Sequence, residues 1–212
     1  MIKINKKYIL YSILSFVLFG FGVSLQLKAA IGQSVLNALA VTLAGILGRK
    51  VGTILNVLNS TFFIAYLLFR RTRLNTTDAI QIAATIANGY IINFFLYNVL
   101  FIFTAETYFY RLLLYLLGLM IASVSLGAVL AIGIIKFPLE SLCLTLSEAW
   151  KKKFTALRLG SDAIFLIAAV SIALWAHAPM QIREGTLISF FLLSPLLGIC
   201  YDFFKKHLNL EE

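Results

Sequence analysis

FPLESLCLTLSEAWKKKFTALRLGSD, residues 137–162, decides how the rest of the chain is read. It sets Glu140, Glu148, the lysine triplet Lys151, Lys152 and Lys153, Arg158 and Asp162 into a chain that is otherwise mostly apolar. A fainter copy without the acids lies 103 positions earlier, from Ser34 to Asn59. Together the two copies point to a membrane protein with a duplicated core.

Working outward, the surroundings are those of a bilayer protein. Of 212 residues, 61% are apolar and 13% charged, against roughly 25% charged in a soluble domain. Several apolar runs reach the roughly 20 residues that cross a hydrocarbon core. They lack the alternation of barrel strands, and backbone groups in lipid must be satisfied within the segment, so the expected spans are helices.

The net charge of +9 invites a nucleic-acid partner, but its placement argues against one. The cations sit in small groups beside apolar runs (Lys3, Lys6 and Lys7; Arg70, Arg71 and Arg73; Lys151 to Lys153; Lys205 and Lys206), which is how membrane topology is set. Cys143 and Cys200 lie in apolar surroundings with no metal-ligand spacing, so they read as small buried residues. The basic start followed by apolar Tyr8 to Val23 lacks a convincing small-x-small cleavage site and reads as an uncleaved first helix.

Six spans are expected: Tyr8 to Leu27, Val51 to Phe69, Ala79 to Phe103, Arg111 to Ile132, Phe154 to Trp175 and Thr186 to Phe204. Val35 to Leu47 and Pro138 to Trp150 are too short to cross and read as re-entrant or interfacial helices; taking both as full spans would instead give eight crossings. Placing both termini inside puts Lys3, Lys6, Lys7, Arg70, Arg71, Arg73, Lys136, Lys151, Lys152, Lys153, Lys205 and Lys206 on the inner side. Only Lys28, Arg49, Lys50, Arg111 and Arg183 remain outside. The positive-inside rule therefore favours cytoplasmic termini.

Moving residues 33–64 forward by 103 lays Leu36, Leu39, Thr42, Leu43, Lys50, Phe62 and Ile64 on Leu139, Leu142, Thr145, Leu146, Lys153, Phe165 and Ile167. The periodicity says more than the identities. Leu36, Leu39, Ala40, Leu43, Ile46 and Leu47 follow helical spacing, and Leu139, Leu142, Cys143, Leu146, Ala149 and Trp150 repeat it; both are one-sided helices. A shift of 109 aligns Gly89, Phe94 and Phe95 with Gly198, Phe203 and Phe204, and Thr77 with Thr186. The expected fold class is thus all-α: two three-helix repeats, 1–103 and 104–212, in one integral membrane domain. Because three spans are an odd number, the copies insert with opposite orientation, the inverted-repeat architecture of many secondary transporters.

The same alignment pairs Asn37 with Glu140, Asn59 with Asp162, Asn75 with Glu184 and Asn93 with Asp202. Amides in one copy face acids in the other, and an interface of that kind suits a cation, a proton or a polar solute. Asp162 lies eight residues into its span, about 12 Å, where an acid is costly and marks a functional candidate. Arg158, one turn earlier on the same face, is able to neutralise it. Glu140 sits in the first turn of its helix, where an acid complements the dipole. Glu184 reads first as a helix-start residue, Asp202 as an end group near Lys205 and Lys206, and Asn59 and Asn93 as interhelical glue. The candidate ligand set is Asn37, Asn59, Glu140, Arg158 and Asp162, with Asn93, Glu184 and Asp202 secondary; no metal ligands and no cofactor are expected. HExxH, GxSxG, acids paired on one helix face and phosphate-cradling loops are all missing, which argues against an enzyme.

The chain also resembles the YczE/YitT-like integral membrane proteins of bacteria. The residues that carry this are GVSLQLKAAIGQS (22–34), KVGTILNVLNSTFFIAYLLFRR (50–71), FPLESL (137–142) and REGTLISFFLLSPLLGICYDFF (183–204), in that order. Val35 stands where relatives often carry proline. The resemblance implies a largely uncharacterised, multi-pass protein of the bacterial cytoplasmic membrane and assigns no residue a role. The reading that follows is a small secondary transporter moving a small solute or cation between the repeats. The other reading is a non-transporting accessory subunit, with a second copy or another membrane protein as its partner.

Overall fold

Each long apolar run forms one helix in the computed structural model, which describes residues 6–70 and 76–208. The helices are α1 (Lys6–Ala29), α2 (Val35–Leu47), α3 (Val51–Arg70), α4 (Thr76–Phe94), α5 (Tyr108–Ile132), α6 (Pro138–Trp150), α7 (Phe154–Trp175) and α8 (Glu184–His207). Six of them, all but α2 and α6, are long and apolar enough to cross a membrane. At 1.5 Å per residue, the 13 residues of α2 and of α6 reach only about 20 Å, short of a core of about 30 Å. Asn75, and the cations Lys3, Arg71 and Arg73, lie outside the described residues.

Helix ends agree with the expected spans to within a few residues except in the third. There α4 gives way after Phe94 to a π-helical turn, Phe95–Val99, and helix stops before the apolar residues Phe101 to Phe103. Hydropathy alone carries the run onward, because it is blind to the backbone widening that ends it. The first and last described segments meet where the Tyr8 hydroxyl donates to the Leu208 carbonyl at 3.2 Å. The contact puts the start of α1 and the end of α8 at the same end of the bundle, as an even number of crossings requires.

The two short helices share their geometry. Val35 and Pro138 open them 103 positions apart, and each closes on a left-handed residue, Gly48 and Lys151, whose N–H returns to Ala44 and Ser147. The turns before them also hold left-handed residues 103 positions apart, Ala30 and Gly133. Pro138 occupies the first turn of α6, where its missing N–H costs nothing and its fixed φ suits a helix.

α1 and α5 pack along their length at the centre. Their approach depends on Gly22 and Gly118: a Cβ on Gly22 would lie 2.7 Å from the Ala122 nitrogen, and one on Gly118 2.7 Å from the Gly22 carbonyl. Small residues that bring backbones together are the usual adhesive between helices in lipid. Around this pair, α4 flanks α1 and α8 flanks α5, while α2 packs on α7 and α3 on α6. The turn after α1 is fixed to the start of α8, where Gly185 N donates to the Ile31 carbonyl at 2.9 Å and Arg183 Nη1 to Ala30 at 2.8 Å. Tyr115 of α5 is fully buried beside them, bonded to the Gly185 carbonyl and to Ser189 Oγ. Ile164, Ile167 and Leu174 of α7 and Phe191 and Ile199 of α8 are exposed, as a lipid-facing surface requires.

Candidate functional site

The three ionic residues of the 137–162 stretch converge. Pro138 starts α6 so that Glu140 falls in its first turn, and the KKK turn reverses the chain into α7, which carries Arg158 and Asp162 one turn apart. The Arg158 guanidinium bonds Asp162 through Nη1 and approaches Glu140 Oε1 through Nε at 3.6 Å. All three side chains are less than 10% exposed. With both acids ionised, two carboxylates against one guanidinium would leave one negative charge inside the protein, where an isolated charge is expensive. Burial on this scale is tolerated where function or a partner requires it.

Asn37 of α2 and Asn59 of α3, the amides aligned with Glu140 and Asp162, are buried and line the same cavity as Glu140 and Arg158, a space of about 70 Å³. Much of its wall comes in pairs 103 positions apart: Phe19 with Ala122, Val23 with Leu126, Ser34 with Phe137, Leu36 with Leu139, Asn37 with Glu140, and Leu55 with Arg158. The cavity is thus lined by residues from both halves of the chain. It has room for a few waters or one partly hydrated ion.

Glu140 and Arg158 also line a larger space of about 400 Å³ at the bundle end where α1 starts and α8 ends. Leu130, Leu197, Phe154 and Leu144 form its apolar wall, and Lys136, Tyr201 and Asp202 its polar one. The pair therefore stands between an inner cavity and a vestibule. A third space of about 630 Å³, lined by Arg49, Tyr97, Pro179 and Gln181, lies towards the opposite end and shares no lining residue with the central cavity.

The secondary candidates lie elsewhere. Asn93 accepts from the Gly52 N–H at 3.0 Å and clasps α3 to α4. Glu184 is exposed at the start of α8, 3.8 Å from Arg183. Asp202 is exposed and lines the vestibule. Among the described residues, no three His, Cys, Asp or Glu side chains converge as a metal centre.

Sequence reasoning missed two lining residues, Gln26 and Asn88. Both are buried, and Gln26 Oε1 and Asn88 Oδ1 have no hydrogen-bond partner. The signal was present for Asn88: Asp78, Gln81, Thr85 and Asn88 recur at helical spacing and are all buried, a polar stripe on one face of α4. Gln81 uses this face to donate to Ser141 Oγ of α6 at 3.1 Å.

Six membrane-length helices around a buried carboxylate–guanidinium cluster define a multi-pass helical membrane protein. The chain belongs to a family of unknown function, DUF6198, which matches residues 5–202. No curated protein and no solved structure matches it.

Proposed function

We propose that the protein is a small secondary transporter of the bacterial cytoplasmic membrane. In this reading it moves a small solute or ion past Glu140, Arg158 and Asp162, between two inverted three-helix repeats. The observation that carries it is the position of Glu140 and Arg158, which border both the central cavity and the vestibule. A pair that only held two helices together would have no need of space on both sides.

Packing supports the repeats: exchanging the two copies turns the contact of α2 with α7 into that of α6 with α3 and maps α1 against α5 onto itself. Inverted repeats with a site at their interface favour alternating access around a fixed site. The motif order resembling the YczE/YitT-like proteins supports the membrane location, and the excess of cations that cytoplasmic termini place inside supports the orientation. With that orientation the vestibule opens to the cytoplasm.

The test is flux in proteoliposomes under imposed sodium, potassium or proton gradients, read with ion-sensitive dyes, with wild type beside Glu140→Gln and Asp162→Asn. The expected result is flux above that of empty liposomes, reduced at least tenfold in Glu140→Gln. Wild-type flux equal to that of empty liposomes under every gradient, together with a stably co-purifying membrane protein, would replace transport with an accessory role.

A further inference from the structure

We infer that the central cavity is a binding site for one monovalent cation, held by the Glu140 carboxylate and by the amide oxygens of Gln26 and Asn88. The inference rests on the transport reading for its purpose but not for its chemistry. The formal charge comes first: Arg158 balances one of two acids, and its closer contact is with Asp162. The Glu140 carboxylate lies 3.6 Å from Arg158 Nε, a nitrogen without a hydrogen-bond partner, and lines the cavity, where it keeps coordinating capacity. One positive charge neutralises the cluster, whereas a divalent ion would overcompensate it.

The second observation is independent of the acids. Gln26 is 2% and Asn88 5% exposed, both line this cavity, and Gln26 Oε1 and Asn88 Oδ1 meet no donor. Buried acceptors are rarely left unpaired unless water or an ion completes them. Carboxylate and amide oxygens are hard ligands and suit a hard cation rather than a soft transition metal. The ligands come from α1, α4 and α6, so binding would tie together helices of both repeats. The first turns of α2 and α6 also reach the cavity. Their partial positive charge, up to about half a unit each and fading within a turn, weakens the site, so half-saturation is expected at millimolar sodium.

Sodium is the probe. Thermal unfolding of the purified full chain in detergent is followed as sodium chloride replaces choline chloride at constant ionic strength. A saturable rise in midpoint is expected, on the order of 5 °C for a chain of this size. Glu140→Gln should abolish it, Gln26→Met and Asn88→Leu should each shift it to at least tenfold higher sodium, and Glu148→Gln should leave it intact. If Glu140→Gln does not fold, the two amide variants carry the test. A midpoint equal in sodium and choline, a rise unchanged in the amide variants, or stabilisation by acid alone would overturn the site. Because this readout is equilibrium binding, it separates the two claims. Sodium binding without flux leaves the site and refutes transport; flux without sodium stabilisation leaves transport and refutes the site.

Discussion

Replacing Arg158 by methionine keeps most of the side-chain volume and removes the only guanidinium in the cluster. Glu140 and Asp162 would then face each other's charge with less than 10% of either side chain in contact with solvent. At 3.6 Å and an effective dielectric near 20, the Arg158–Glu140 attraction alone is about 4–5 kcal/mol before desolvation. Removing one partner of a buried pair typically costs about 3–5 kcal/mol, because a charge is stranded. Here two are stranded, so Arg158→Met is expected at the upper end of that range. Asp162→Asn is milder: Arg158 retains Glu140, and about 1.5–3 kcal/mol is lost with the charge-assisted bond. The variant carrying Arg158→Met, Glu140→Gln and Asp162→Asn together strands no charge and should recover most of the loss. Equilibrium unfolding in mixed micelles, followed by fluorescence of Trp150 and Trp175, ranks the four proteins. The reasoning fails if Arg158→Met is no worse than Asp162→Asn, or if the triple variant is no more stable than Arg158→Met.

Gly118→Val drives a side chain into the Gly22 carbonyl and the Gln26 nitrogen, 2.7 and 2.9 Å from the new Cβ. Backbone atoms cannot step aside, so overpacking of more than about 3 kcal/mol is expected, read as loss of the monodisperse peak on size exclusion. Asn93→Ala should cost about 1 kcal/mol through its lost bond to Gly52 and leave flux unchanged, which separates a clasp between helices from a site residue. A flux defect in Asn93→Ala larger than its stability loss would show that α4 reaches the transport path there.

The bounds of α2, α6 and α7 were legible because local signals agree. A one-sided apolar period, Pro138 at a helix start, and Gly48 or the KKK turn at a helix end all act within a few residues. The i, i+4 pair of Arg158 and Asp162 was legible for the same reason, since one helical turn fixes it. Glu140 was harder. Its place in a first turn was plain, yet its contact with Arg158 depends on how α6 folds back on α7 across the lysine turn. Gln26 and Asn88 were out of reach as a pair, because α1 and α4 meet only through tertiary packing. The end of α4 was misjudged because Phe101 to Phe103 are as apolar as the helix before them, and composition does not register a π-helical turn.

Cysteine accessibility at Asn37 tests most directly whether a route crosses the membrane through the central cavity. With Cys143 and Cys200 replaced by serine, Asn37→Cys lines the cavity and Ser194→Cys the vestibule. A small membrane-impermeant thiol reagent should label Ser194→Cys from the cytoplasmic side alone and Asn37→Cys from either side of the membrane. Labelling of Asn37→Cys from neither side, while Ser194→Cys reacts normally, would mean that the cavity is a sealed structural void and would contradict the account.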